Sequence, residues 1–279
     1  MEFTKDKWSQ VLRDIRPTIK GIYFKGDIKL LTGETPKLAI VGTRRITEYG
    51  SRVIERWMPT LVQAQITIVS GFMYGVDQAA HKACIDNGGK TIAVLGWGID
   101  REVSGEDENL YQKILQVNSL ILSEYPGNFG GTKWTFPERN RIVAGISDAV
   151  LVVEAAEKSG SLITARLAVK MKKTLLAVPG RVDNKLSWGT NYLIKTCKAL
   201  AVTEASDILR AMDLERPKPK PSKEKTNDPL LLLLETGEKR QDEIGRLLKI
   251  SVDQVAQRLT ILTLMGEVEE KNGKYFKLR

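Results

Sequence analysis

The chain places guanidinium groups at two points where an anion could be gripped. Arg44 and Arg45 follow Gly42-Thr43, directly behind the apolar run Leu38-Ala39-Ile40-Val41. A glycine there leaves the backbone bare, and a guanidinium fork matches phosphate oxygens. Arg139 and Arg141 stand in Phe136-Pro137-Glu138-Arg139-Asn140-Arg141. Pro137 suits the first turn of a helix, where the macrodipole disfavours cations. Two arginines there call for a counter-charge. It is either a bound anion, with Arg139, Asn140 and Arg141 as ligands, or an internal carboxylate such as Glu154.

Further bare loops close other apolar runs: Ser70-Gly71 with Gly75-Val76-Asp77, Gly96-Trp97-Gly98 with Arg101, Ser159-Gly160-Ser161 with Thr164, and Pro179-Gly180-Arg181. Backbone N–H groups at Gly42–Thr43, Ser70–Gly71 and Gly160–Ser161 are expected to cradle oxygens, because loops ahead of helix N-termini attract anions. Several such loops on one edge imply a ligand with several phosphates. The arginines beside them favour a nucleic acid over a small cofactor. Trp97, Trp134 and Trp188 lie in the same loops, where an unpaired base could stack on them. Core packing is the default for each ring.

Other chemistries fare less well. Gly89-Lys90-Thr91 resembles the end of a P-loop, but its first glycine would fall at Cys84 and it precedes a strand. Gly96-Trp97-Gly98 lacks the third glycine of a dinucleotide fingerprint, and Ser70-Gly71 stands where a ribose-binding acid belongs. With one histidine and two distant cysteines, Cys84 and Cys197, no standard zinc site can form. His81 reads as a packing histidine before a general base. No cofactor and no metal are expected.

The elements that must position these loops alternate. Strands are predicted at 37–42, 66–70, 91–95, 119–124, 148–154, 174–178 and 199–203. Helices are predicted at 47–64, 76–87, 107–117, 137–147, 160–172, 189–197 and 204–212. Near-continuous apolar strands such as Ala149-Val150-Leu151-Val152-Val153 mean burial on both faces. The fold class is therefore α/β, with a Rossmann-like doubly wound, mainly parallel sheet. In such a sheet ligands bind at the carboxyl ends of the strands.

Residues 1–36 read as a weakly patterned N-terminal lead-in and 37–214 as the Rossmann-like domain. At 215–228, alternating proline and lysine predict an extended linker of ~3.1 Å per residue. It is a solvated spacer in the simpler reading and a phosphate track in the other. Residues 229–279 are expected to form a small C-terminal winged-helix domain, with helices at 229–236, 240–249 and 252–265. Gly266 would end the last helix, and Asn272-Gly273 would turn a hairpin. Arg258 is the one basic group on the third helix, which favours protein contact or a merely structural role over duplex DNA.

The bulk numbers agree. A net charge of +9 and a pI of about 9.4 suit an acidic partner. The start, Met1 to Lys7, is polar and holds no signal-peptide core. No apolar run nears the ~18 residues of a membrane span. Two unpaired thiols fit a reducing cytoplasm.

Taken in order, the motifs resemble the DNA-processing protein A (Smf) family of bacterial competence proteins. They are Ala39-Ile40-Val41-Gly42-Thr43-Arg44, Val69-Ser70-Gly71 with Gly75-Val76-Asp77, and Lys90 to Gly96. They continue with Ser123-Glu124-Tyr125-Pro126, Phe136 to Arg141, Val153-Glu154-Ala155, Ser159 to Ala165, Ala177-Val178-Pro179-Gly180 and Gly189-Thr190-Asn191. The resemblance implies a non-enzymatic, dimeric protein that binds and protects single-stranded DNA and helps load the RecA recombinase in natural transformation. It implies DNA contact at Gly42-Thr43-Arg44. Tyr23-Phe24-Lys25-Gly26 is similar to the family's lead-in, with no helical extension expected ahead of it. One departure stands out. Family members usually carry a Tyr-Pro pair and a basic residue after the third strand's Gly-x-Gly turn. Here Asp100-Arg101-Glu102-Val103-Ser104-Gly105-Glu106-Asp107 occupies that stretch, leaving Arg101 as the substitute.

Two rivals are a nucleotide phosphoribohydrolase-like enzyme and a nucleotide-sensing Rossmann protein. The first shares a similar sheet but carries a Pro-Gly-Gly-x-Gly-Thr loop, whose glycines Ser159 to Thr164 lack.

Overall fold

The computed structural model describes residues 1–5, 8–214, 228–264, 267–271 and 273–277. The predicted linker (except Asp228), Gly266 and Asn272 lie outside them. The chain divides into two compact units, Met1–Glu215 and Arg216–Arg279.

The first unit begins with α1 (Gln10–Asp14), β1 (Tyr23–Gly26) and α2 (Lys29–Thr32). Strands and helices then alternate: β2 (Lys37–Val41), α3 (Glu48–Gln63), β3 (Thr67–Ser70), α4 (Val76–Asp86), β4 (Thr91–Leu95), α5 (Glu106–Gln116) and β5 (Leu120–Ser123). They continue as α6 (Thr135–Gly145), β6 (Ala149–Val152), α7 (Ser161–Lys170), β7 (Thr174–Ala177), α8 (Trp188–Lys195), β8 (Leu200–Ala201) and α9 (Ala205–Ala211). All seven predicted strands and all seven predicted helices of this region are present, with ends shifted by a few residues.

The sheet order is β1-β5-β4-β3-β2-β6-β7-β8. Strands β2 to β8 pair in parallel, and β1 runs antiparallel to β5 with Tyr23 opposite Ser123. The chain winds outward from β2 through β3, β4 and β5, then returns to β6 on the other side of β2. The switch point therefore lies between the carboxyl ends of β2 and β6, where a doubly wound sheet opens a crevice.

Strand alternation explains the two cores. Leu38 and Ile40 point to one face, against Ile54, Trp57, Met58 and Leu61 of α3. Ala39 and Val41 point to the other, in a cluster with Ile142 of α6 and Ala165 of α7. A strand buried on both sides has no polar face to show, hence the unbroken apolar runs.

The lead-in departs from its weak pattern. Phe3, Trp8, Leu12, Ile15, Ile19 and Phe24 are buried in the α6–α7 core, and β1 caps the sheet edge. Each such side chain contributes roughly 1.5–3 kcal/mol on burial. Their spacing follows an irregular path over the sheet, so no helical or strand period shows in the sequence.

In the second unit, α10 (Pro229–Glu235), α11 (Gln241–Leu248) and α12 (Val252–Leu264) enclose Leu230, Leu234, Ile244, Val255 and Leu259. β9 (Val268–Lys271) and β10 (Lys274–Lys277) pair antiparallel.

Candidate functional site

A cavity of about 550 Å³ opens at the switch point. The loop after β2 supplies Gly42, Thr43, Arg44 and Arg45; the loop into α7 supplies Lys158, Ser159, Gly160 and Ser161. Ile163 and Thr164 of α7 and Asp77 of α4 line it too, as do Phe136, Pro137, Arg139 and Asn140 of α6. Arg44, Arg45 and Lys158 are exposed and have no ion-pair partner among the described residues. Asp77 is the one acidic side chain among the described residues of the lining, and it is buried. The cavity is thus a cationic crevice able to hold an anion.

Local contacts fix the loop that carries Arg44. The Thr43 N–H donates to the Glu154 carbonyl (2.8 Å), joining the ends of β2 and β6. The Glu154 carboxylate accepts from the Thr47 N–H (2.9 Å) and hydroxyl (2.5 Å). Thr47 in turn caps α3 by accepting from the Gly50 N–H (3.2 Å). Glu154 therefore answers Thr47 and not the α6 arginines. The Thr43 N–H, expected to cradle an oxygen, is already engaged.

Helix α6 starts at Thr135, two residues ahead of its predicted start, and the Thr135 hydroxyl donates to the Gly96 carbonyl (2.6 Å). That places Arg139 and Arg141 beyond the first turn, where the macrodipole has faded. Arg139 is buried, and its guanidinium donates to the carbonyls of Gly71 and Val94 at the ends of β3 and β4. Burial pushes its pKa down to about 10; Asp77 opposes the shift and Arg44 adds to it. Burial also raises the Asp77 pKa, against the pull of Arg139. Arg139 is a floor strut of the cavity. Arg141 lies outside the cavity lining and holds both Glu124 carboxylate oxygens, at 2.7 and 2.6 Å. The expectation that Arg141 grips a ligand is corrected to a buried ion pair.

Several predicted cradle residues are packing positions instead. The Ser70 hydroxyl is buried and donates to the Ile40 carbonyl (2.5 Å). A Cβ on Gly71 would stand 2.6 Å from the Arg139 guanidinium. Gly75 has φ +80°, and a Cβ there would meet the Thr43 carbonyl at 2.3 Å. Its role is to bring α4 against the Arg44 loop. Gly96 faces Phe136, and the Gly98 N–H donates to the Phe129 carbonyl (2.7 Å). Ser159, Gly160 and Ser161 do line the cavity, but the Ser159 hydroxyl already accepts from the Ser161 N–H (3.3 Å).

The aromatics divide. Trp97 is half-buried between Phe72 and Phe136, with ring centroids 6.3 and 6.0 Å away. Trp188 stacks on Tyr192 at 5.0 Å, so one of its faces is covered. Trp134 is 70% exposed, with the Lys133 ammonium 5.1 Å from its ring centroid. Arg101 donates to the Gly130 carbonyl and lines a separate cavity. His81 is fully buried, with Nδ1 2.7 Å from the Thr91 hydroxyl, as a packing histidine would be.

Lys158 was absent from the residues expected at the site. Its position beside Ser159-Gly160-Ser161 was the available signal. Asp77, Phe136 and Ile163 reach the cavity only through tertiary packing.

Comparison with known proteins agrees with this architecture. Residues 1–213 match the family described as DNA recombination-mediator protein A. The DNA processing protein DprA of Streptococcus pneumoniae is 39% identical over 188 residues, 67% of this chain and 65% of that protein. The matched segment spans 46 and 50% of the Smf proteins of Synechocystis and Escherichia coli. The X-ray structure of the Streptococcus pneumoniae protein superposes with a TM-score of 0.69 at 36% identity, covering 75% of this chain and 73% of that one. DNA processing protein A from Helicobacter pylori, reported for its single-stranded DNA binding mode, gives 0.68 at 33% identity, covering 76% and 94%. With its Rossmann-like sheet and a match across residues 1–213, the chain belongs to the DNA recombination-mediator protein A family.

Proposed function

We propose that the chain captures single-stranded DNA by its phosphates in the Arg44 cavity. On this reading it acts in the cytoplasm as a homodimer, protects the strand and helps load RecA onto it in natural transformation. One observation carries the reading: Arg44, Arg45 and Lys158 converge, exposed and unpaired among the described residues, on the switch-point crevice. The relative reported for single-strand binding supports the choice of an unpaired strand.

Capture without chemistry is part of the proposal. The His81 pKa is pushed down to about 3 by burial and by the Arg139 charge, which leaves a poor general base. In the second unit, read as a winged helix, Arg258 pairs with Asp228 (2.8 Å), Lys274 with Glu238 (2.6 Å) and Lys277 with Glu235 (2.5 Å). With these three cations occupied, protein contact or a merely structural role is favoured over duplex DNA.

The test is filter binding of oligo-dT across a salt series. Log K is expected to fall by roughly 0.7 per neutralised phosphate for each decade of salt. Arg44→Glu should abolish most affinity while the circular dichroism spectrum stays unchanged. Full affinity in that variant would remove the cavity from the proposal. RecA loading is read separately, as strand exchange on pre-coated DNA with and without this protein.

A further inference from the structure

A second cavity, of about 300 Å³, adjoins the first and shares Met73 and Phe136 with it. Its chemistry is different. The walls are aromatic, built from Phe72, Trp97 and Phe136, and the Trp97 indole N–H is buried without an acceptor among the described residues. Tyr74 also lines it, 59% exposed and in no ring contact among the described residues. The rest of the lining comes from the acidic stretch after β4, with Glu102 and Asp107 as carboxylates and Arg101 as the one cation among the described residues.

Arg101 donates to the Gly130 carbonyl, and Asp107 accepts from the Gln78 amide through one carboxylate oxygen (2.8 Å). Glu102 is exposed, with no partner among the described residues. Two carboxylates repel a phosphate. Flat apolar walls beside carboxylate acceptors suit a heteroaromatic ring that carries N–H donors on its edge. Cytosine offers an amino group that a carboxylate accepts; thymine has a carbonyl oxygen at the same place, which a carboxylate repels. A nucleotide whose phosphate sits in the first cavity has its base within reach of the second.

We propose that this cavity is a nucleobase pocket that prefers an amino-bearing base, cytosine over thymine, next to the phosphate held at Arg44. The proposal rests on the single-strand reading above. It assigns a role to residues 100–107, whose acidity suits no phosphate contact.

The experiment is fluorescence anisotropy of the full chain with oligo-dC and oligo-dT of equal length at one salt concentration. Oligo-dC should bind tighter by about fivefold or more, as expected for a base-edge contact. Glu102→Ala combined with Asp107→Asn should bring the ratio near one and strengthen oligo-dT binding, since negative charge leaves the path of the strand. A merely structural role for these carboxylates would not move the ratio. Tyr74→Ala should weaken both oligonucleotides by about tenfold through lost stacking. Equal wild-type affinities that both vanish in Arg44→Glu would overturn the pocket and leave the single-strand reading standing. A cytosine preference that survives the double variant would also overturn it. Binding of neither oligonucleotide would overturn both.

Discussion

Arg44 and Arg139 line one cavity with the same functional group, yet their surroundings separate them. Arg44 is exposed and unpaired among the described residues, whereas Arg139 is 3% exposed and tied to two strand-end carbonyls. Removing a buried charge leaves its partners unmatched. Arg139→Met should therefore cost about 3–5 kcal/mol in urea unfolding, while Arg44→Ala should stay within about 0.5 kcal/mol. A mild effect of Arg139→Met would show that Asp77 and the carbonyls do not depend on it. His81 carries a pH prediction. Its pKa is 6.5 when unperturbed and about 3 in the fold. Above pH 6.5 both states are neutral there and contribute no slope. Below it the unfolded chain takes a proton that the folded chain refuses, so stability falls with pH by up to about 1.4 kcal/mol per unit. Asp77 acts oppositely: its raised pKa lets the folded state bind a proton first, adding stability as pH falls. His81 is the sole histidine, so comparison with His81→Gln isolates its share. The slope between pH 6.5 and 5 should flatten in that variant; an unchanged slope would assign it elsewhere.

At the scale of elements, the site depends on how helix starts and strand ends are joined. Thr47 links the α3 cap to Glu154 at the end of β6, and Gly75 lets α4 start against the Thr43 carbonyl. Both sides of the switch point are thereby held in register. The lead-in matters at this scale too. Leu12 of α1 is 2% exposed within the α6–α7 core. Leu12→Ala should lower stability by about 2–5 kcal/mol, as for other large-to-small core changes. A loss below 0.5 kcal/mol in thermal unfolding would mean that the lead-in is an appendage rather than core.

For the whole molecule, every described residue of the cationic cavity lies in the first of two compact units. Deleting 215–279 should leave most single-strand affinity in place, measured by filter binding at the same salt. A loss of more than tenfold would move the main contact to the second unit. The net charge of +9 acts at this scale as well, as a long-range attraction that salt weakens.

The parallel sheet was legible from unbroken apolar runs, because a strand covered on both faces leaves no alternation. The Arg44 turn was legible as well, because glycine, threonine and arginine behind a strand define local chemistry within four residues. What each remaining polar group faces was not. Arg139, Arg141, Ser70 and Glu154 lie beside the same loops in sequence, but the partners that engage them stand between 17 and 107 residues away along the chain. Hydrogen-bond partnership and burial are properties of packing, so only the tertiary structure separated the exposed cations from the buried ones. The same holds for the second cavity, whose walls come from the loops after β3 and β4 and the first turns of α5 and α6, which no local pattern connects.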